Sequence, residues 1–157
     1  MSIWWSLRLR RDAASVPLAR RLLLGAMETA GVDPDISYDL SVALSEACAN
    51  AVEHGGDTAR GGTSEAFRVT AYLDGEKCRI EVADAGPGFP GFPGATGNRF
   101  RPPTRSVPCD AEHGRGLWLI QELADHVHIG NKPGRGGAVV SFDKILKWRE
   151  NAPLVAV

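Results

Sequence analysis

Three polar side chains, Glu46, Asn50 and His54, follow one another at intervals of four in the stretch SEACANAVEH. That spacing puts them on one stripe of an α-helix. The stripe flanks an alanine-rich face (Ala43, Ala47, Ala51), and small residues let a ligand or a second backbone come close. Asn and His are poor formers of helix interiors, which favours a functional stripe. On this feature alone a solvated helix side remains open as the alternative. Chemically the set is coherent. A neutral Asn carbonyl oxygen suits Mg²⁺, which takes hard oxygen ligands and keeps several waters. A carboxylate one turn away can accept a proton or hold an attacking group. An imidazole at the end can contact phosphate or orient Asn50. The zincin arrangement is absent, since the helix has no two histidines one turn apart.

Two further groups of residues carry related chemistry. Asp84-Ala85-Gly86-Pro87-Gly88 follows a strand pattern directly. An ionised carboxylate is an acceptor only, so Asp84 can take a hydrogen bond from an exocyclic amine such as that of adenine. Gly86 and Gly88 would let a ring and phosphates approach the backbone. The plain alternative is a sharp turn. The second group, His113-Gly114-Arg115-Gly116-Leu117, stands at a helix start, where unpaired amides and the helix dipole form an anion site. Its plain alternative is a tight loop-to-helix junction.

The elements that must position these residues can be read from periodicity. Residues 3–11 end in alternation, with Leu7 and Leu9 on one side and Arg8 and Arg10 on the other, as in a strand with one wet face. A helix starts at Ser15 with Pro17 in its first turn and stops at Gly31. Leu18, Leu22, Met27 and Ala30 form its expected apolar face, widened by Leu23 and Leu24. A second helix runs from Pro34 or Ser37 to His54, burying Leu40, Ala43, Leu44, Ala47 and Ala51. Phe67, Val69, Ala71 and Leu73, then Cys78, Ile80 and Val82, alternate around an Asp74-Gly75 turn and predict a hairpin. Residues 86–113 are crowded with Gly and Pro and lack periodicity, which is typical of a functional lid or of disorder. A third helix opens at Gly114, with Leu117, Ile120, Gln121 and Ala124 on one face, and residues 126–130 and 138–145 make a last hairpin. This order predicts an α+β, two-layer sandwich, with helices on one face of a mixed, mostly antiparallel sheet.

Bulk properties narrow the class. The 157 residues suit a single domain spanning 1–157. A formal net charge of −1 argues against direct nucleic-acid binding. Arg8, Arg10, Arg11, Arg20 and Arg21 leave room for a partner-facing patch. Cys48, Cys78 and Cys109 form neither a disulfide framework nor a zinc pattern, which fits a cytoplasmic protein. No signal-peptide pattern and no membrane-length apolar run are present, so no membrane association is expected.

Taken together and in this order, the motifs resemble the GHKL ATPase/kinase superfamily, the group that includes gyrase and the histidine kinases. Residues 41–54 (SVALSEACANAVEH) look like its N box, residues 84–89 (DAGPGF) like its adenine-recognition box, and residues 113–120 (HGRGLWLI) like its second glycine box. The detail of SEACANAVEH, with its early Glu, is similar to the stand-alone anti-sigma-factor serine/threonine kinases, over nearly the whole chain from Leu7 to about Phe142. No dimerisation helix with a phospho-accepting His precedes the motifs, so a sensor histidine kinase is not expected.

The resemblance implies a Bergerat-type ATP-binding fold and the cofactors ATP and Mg²⁺. Asp84 would bind the adenine amino group, with Gly86 and Gly88 beside it. Asn50 would coordinate Mg²⁺, with His54 near the phosphates. Glu46 would act as base or orienter toward an acceptor serine hydroxyl. Gly114, Arg115, Gly116 and Leu117 would wrap the phosphates, and Arg105 in the lid (residues 86–113) could meet the γ-phosphate. The implied partners are a sigma factor and an anti-sigma-factor antagonist, with the kinase acting as a homodimer. Trp4 and Trp5 would anchor such an interface or belong to the core. One departure weakens the match: where the family carries a Thr after the last hairpin turn, this chain has Gly136-Gly137-Ala138. Losing one neutral hydrogen bond costs about 0.5–1.5 kcal/mol, so weaker nucleotide binding is expected. The alternatives are a regulatory module that sequesters a partner without catalysis, with or without ATP, and an isolated ATPase.

Overall fold

A computed structural model describes residues 2–54, 66–84, 112–131 and 137–149, with the backbone alone for His54 and residues 112–115. The elements are β1 (Ile3–Arg10), α1 (Ser15–Ala30), α2 (Pro34–His54), β2 (Ala66–Leu73), β3 (Lys77–Ala83), α3 (Glu112–Leu123), β4 (His126–Asn131) and β5 (Ala138–Ile145). The strands form one sheet in the order β1-β2-β3-β5-β4. All four pairings among the described residues are antiparallel. The expected two-layer α+β sandwich therefore forms, and no parallel pair is found in it. Among the described residues, no helix is long and apolar enough to cross a membrane.

Strand alternation sorts the two faces of the sheet. Phe67, Val69, Ala71, Cys78, Ile80, Val82, Val140 and Phe142 are buried toward the helices, while Arg68, Tyr72 and Arg79 point to the wet side. The Asp74-Gly75 turn closes as its residue types suggest. Asp74 Oδ1 accepts from the amides of Glu76 and Lys77 at 2.7 and 2.8 Å. Those two bonds hold its carboxyl below the usual carboxylate range. The chain after β5 returns to the helices: Asp33 N donates to Lys147 O at 2.8 Å and Arg149 N to Gly31 O at 2.9 Å.

Helix α2 is the centre of the helical layer, packing against α1, α3, β3 and β5. Leu40, Ala43, Leu44, Ala47, Cys48 and Ala51 are all buried, as their spacing predicts. Burial in this apolar setting pushes the Cys48 and Cys78 thiols up to about 12. Helix α1 ends at Gly31, whose φ of 84° is the left-handed cap conformation that glycine adopts without strain.

One expectation about apolar residues changes, and an open alternative is resolved. On α1 the buried stripe is Ala19, Leu23, Met27 and Ala30, while Leu18 and Leu22 are 44% and 43% exposed. The expected set breaks helical spacing at the step of five from Leu22 to Met27, whereas Ala19, Leu23, Met27 and Ala30 step by four, four and three and share one face. Trp4 and Trp5 divide by strand parity: Trp5 packs against the core and Trp4 is 66% exposed. This register has a direct consequence for stability. Leu23→Ala is expected to cost about 2–5 kcal/mol. Leu22→Ala, one position along, is expected to cost less than about 1 kcal/mol. Urea unfolding of the two variants measures the contrast, and equal losses would contradict the observed α1 register.

Candidate functional site

The seam between α2 and α3 brings Glu46 and Asn50 together with Gly116 of the glycine-rich helix start. Gly116 lies buried in the second turn of α3. A Cβ placed on it would stand 3.0 Å from Glu46 Oε2 and 3.7 Å from both Asn50 Nδ2 and Oδ1. The carboxylate of Glu46 and the amide of Asn50 therefore converge on one point, and the missing side chain of Gly116 makes the convergence possible. Glycine is required here for space: Gly116 is not among the residues with positive φ.

Asn50 carries the second informative feature. Its Nδ2 is buried and has no hydrogen-bond partner in the structure. A buried donor without an acceptor costs about 1–3 kcal/mol, so such groups are rare unless a ligand or water satisfies them. The amide oxygen and the neighbouring carboxylate are hard donors of the kind Mg²⁺ takes. Among the described residues there is no group of three or more His, Cys, Asp or Glu side chains able to hold a metal ion. The residues thus fit an ion that draws most of its ligands from phosphates and waters, as Mg²⁺ does in nucleotide sites, and do not fit an all-protein metal cage.

Asp84 is anchored separately. It follows β3 and is buried, and it is bonded to the first residue of β5 in both directions. Its amide donates to Ala138 O at 3.0 Å, and its Oδ1 accepts from Ala138 N at 3.0 Å. The carboxylate is therefore fixed at the ends of β3 and β5, the two strands that α2 packs over. Ala138 lies in the stretch where the missing threonine was expected, so a methyl group stands beside the Asp84 anchor. Sequence reading missed the Ala138 amide, and no signal in residue type could have revealed it. A backbone N–H donates whatever side chain it carries.

Other expected residues are placed less fully. Leu117 is half-buried and packs its side chain against the core, and its amide lies in the second turn of α3, past the unpaired amides of the helix start. Helix α3 begins at Glu112, two residues before the expected start at Gly114. Gly114 and Arg115 thus belong to its first turn, and their side-chain surroundings, like those of His54, lie outside the described residues. Gly86, Gly88, Arg105 and the proposed lid up to residue 111 also lie outside them.

An open cleft of about 760 Å³ lies elsewhere, lined by Glu76, Lys77, His126, His128 and Asp143 among others. There His126 Nδ1 and Asp143 Oδ1 already satisfy each other at 2.8 Å. No orphaned buried atom lines it, in contrast to the α2–α3 seam.

Comparison with known proteins bears on the family and the fold. A family model described as the histidine kinase-like ATPase domain matches residues 9–144. The chain is 33% identical over 133 residues to a serine-protein kinase RsbW from Bacillus licheniformis, covering 83% of this chain and 78% of that protein. It is 31% identical over 127 residues to the serine-protein kinase RsbW of Bacillus subtilis, covering 81% and 78%. Among solved structures, one containing the RsbU and RsbW domains of a Mycobacterium tuberculosis protein superposes with a TM-score of 0.64 at 22% identity. That match covers 92% of this chain and 33% of the longer one, and it bears on the fold alone.

The contact at Gly116 generates a prediction in which a sign reverses. Replacing a helical glycine by alanine normally stabilises by about 0.5–1 kcal/mol. In the wild-type background Gly116→Ala is expected to destabilise instead, because the methyl meets the Glu46 carboxylate. Adding Glu46→Ala should remove the obstacle and restore the gain. Denaturant unfolding of the single and double variants decides it. Stabilisation by Gly116→Ala alone would mean that the Glu46 carboxylate swings aside and is not held in place against α3.

Proposed function

The chain belongs to the histidine kinase-like ATPase family, and on that premise we propose that it is an ATP-dependent serine/threonine protein kinase acting as an anti-sigma factor. Its substrate would be a serine or threonine of an antagonist protein. Phosphorylating that antagonist would leave the kinase free to hold its sigma factor. The observation that carries the reading is the convergence of Glu46 and Asn50 on Gly116, with a buried Asn50 donor awaiting an acceptor. The relatives named serine-protein kinase support the protein-kinase class over a bare ATPase.

In this reading each residue has one task. Asp84, held rigid by Ala138, accepts a hydrogen bond from the adenine amino group. The start of α3, with Gly114 and Arg115 in its first turn, would face the phosphates, where unpaired amides and the helix dipole favour negative charge, while Gly116 leaves room beside Glu46 and Asn50. Asn50 Oδ1 would hold Mg²⁺, which supplies charge neutralisation across the phosphate oxygens when bound. Asn50 Nδ2 would donate to a phosphate oxygen or a bound water. Glu46 orients the acceptor hydroxyl and takes its proton. The hydroxyl oxygen forms a bond to the γ-phosphorus as the bond to the β,γ-bridging oxygen breaks, ADP leaves, and the proton passes from Glu46 to solvent. Catalysis of this kind rests on positioning and charge stabilisation. Arg105 and His54 would add phosphate contacts. A homodimer in the cytoplasm, with exposed Trp4 at a partner surface, completes the proposal.

A second reading is favoured by one observation. Ala138 sets a methyl group beside Asp84, where a hydroxyl would strengthen nucleotide binding. The chain would then be a module that sequesters its partner without phosphorylating it. Transfer of labelled γ-phosphate from Mg·ATP to an antagonist protein separates the two. Transfer by the wild type, with a loss of about 100-fold or more in Glu46→Ala, is the outcome expected for a positioned general base. Retained transfer in Glu46→Ala would refute its role, and an absence of transfer by the wild type, with or without Mg·ATP binding in calorimetry, would favour the second reading.

A further inference from the structure

Lys144, near the end of β5, reaches across the helical layer. Its side chain is 14% exposed, and its Nζ lies 3.6 Å from Asp39 Oδ2 on α2. The same Nζ donates to Leu123 O, the last carbonyl of α3, at 2.6 Å. Carbonyls at a helix C-terminus lack intrahelical partners, and a cation there is also favoured by the helix dipole. One ammonium group thus ties α2, α3 and β5 together at a point away from Glu46.

The spacing along the two helices gives this tie a meaning. Asp39 and Glu46 are two turns apart on one face of α2, and Gly116 and Leu123 are two turns apart on α3. Asp39 meets the end of α3, and Glu46 meets its beginning, so the helices run antiparallel. The Lys144 clamp and the Glu46–Gly116 contact are the two ends of one seam about 10 Å long, at 1.5 Å of rise per residue. A slip of α3 along its axis by even one residue's rise would reach Gly116 undiminished. There a Cβ on Gly116 would stand 3.0 Å from Glu46 Oε2, so a shift of about 1.5 Å is large against the space that the glycine leaves. We infer that Lys144 is a positioning residue: by bonding Asp39 and the Leu123 carbonyl together, it sets the axial register of α3 on α2 and so the gap at Glu46 and Asn50. This inference deepens the proposed nucleotide site and rests on that reading for its functional part.

A separate anchor makes the idea testable without loss of the fold. Asp125, just beyond α3, donates from its amide to Asp143 O at 2.9 Å and accepts from the Ile145 amide at 2.6 Å. These bonds keep α3 attached to the sheet when Lys144 is changed. What disappears in Lys144→Met is the tie to α2.

The test uses the full chain and the variants Lys144→Met, Lys144→Arg and Asp39→Asn. In the absence of nucleotide, the Gly116 amide resonance is expected to move in Lys144→Met and Asp39→Asn, and to return toward its wild-type position in Lys144→Arg. The double variant Lys144→Met/Asp39→Asn should move it no further than either single change, since both act through one tie. An unmoved Gly116 resonance in folded Lys144→Met overturns the inference, whether or not the chain proves to be a kinase. In phosphotransfer assays the expected pattern is a fall in kcat of about 10- to 100-fold, the scale of a sub-ångström to ångström misplacement. KM for ATP should stay within about threefold, because Asp84 is anchored independently. A rise in KM with unchanged kcat would contradict a role through Glu46. Absence of transfer by the wild type would sink the kinase reading, while the resonance of Gly116 still decides the register.

Discussion

The close approach of α3 to α2 at Gly116 is the contact on which the candidate site depends. Two helices ordinarily pack with side chains between them, at interaxial distances of 8–10 Å. Here one helix presents a residue with no side chain, and the other fills the space with a carboxylate and an amide. Two polar groups therefore enter a seam that would otherwise be apolar, and one of them, Asn50 Nδ2, is left without a partner. The alanines of α2 serve the same end from beneath. With Ala43, Ala47 and Ala51 buried, the helix lies low on its neighbours, and the polar stripe emerges beside the core without leaving the helix.

The proposed second half of the site would be made by sheet topology. Strand β5 enters between β3 and β4, so the end of β3 meets the start of β5. Asp84 can then be gripped by both hydrogen bonds to Ala138. A carboxylate fixed in this way offers a defined acceptor direction, which a mobile loop residue would not. The cost of this arrangement falls on sequence freedom at glycine and alanine positions, where larger residues would intrude.

Much of this was legible in the sequence for physical reasons. The period of two in residues 67–73 and 78–82, and the period of three to four in residues 40–51, each reflect one buried face, and both predicted their elements correctly. The Glu46–Asn50 stripe was visible because side chains four apart on a helix must share a side. On α1 the period was misassigned: Leu18 and Leu22 were grouped with Met27 across a step of five, while Ala19, Leu23, Met27 and Ala30 keep the steps of four, four and three that one buried face requires. Periodicity could not find Lys144, because a cation at the end of a strand carries no mark of the helix end it will meet. The Ala138 amide was hidden for the same reason, as a main-chain donor has no residue signature. The start of α3 was placed late at Gly114, since a glycine-rich stretch reads as a loop even where the helix has already begun at Glu112.

In the proposed function, one nucleotide site spans the α2–α3 seam and the β3–β5 strand ends. A titration of isotope-labelled protein with Mg·ATP, followed through its amide resonances, tests this most directly. The Asn50 side-chain amide, the Gly116 amide and the Ala138 amide are expected to shift together along a single binding curve, while Arg8 on β1 and His128 on β4 stay in place. Shifts confined to β4 and the His126 cleft, or saturable binding that leaves Asn50 and Ala138 unmoved, would contradict it.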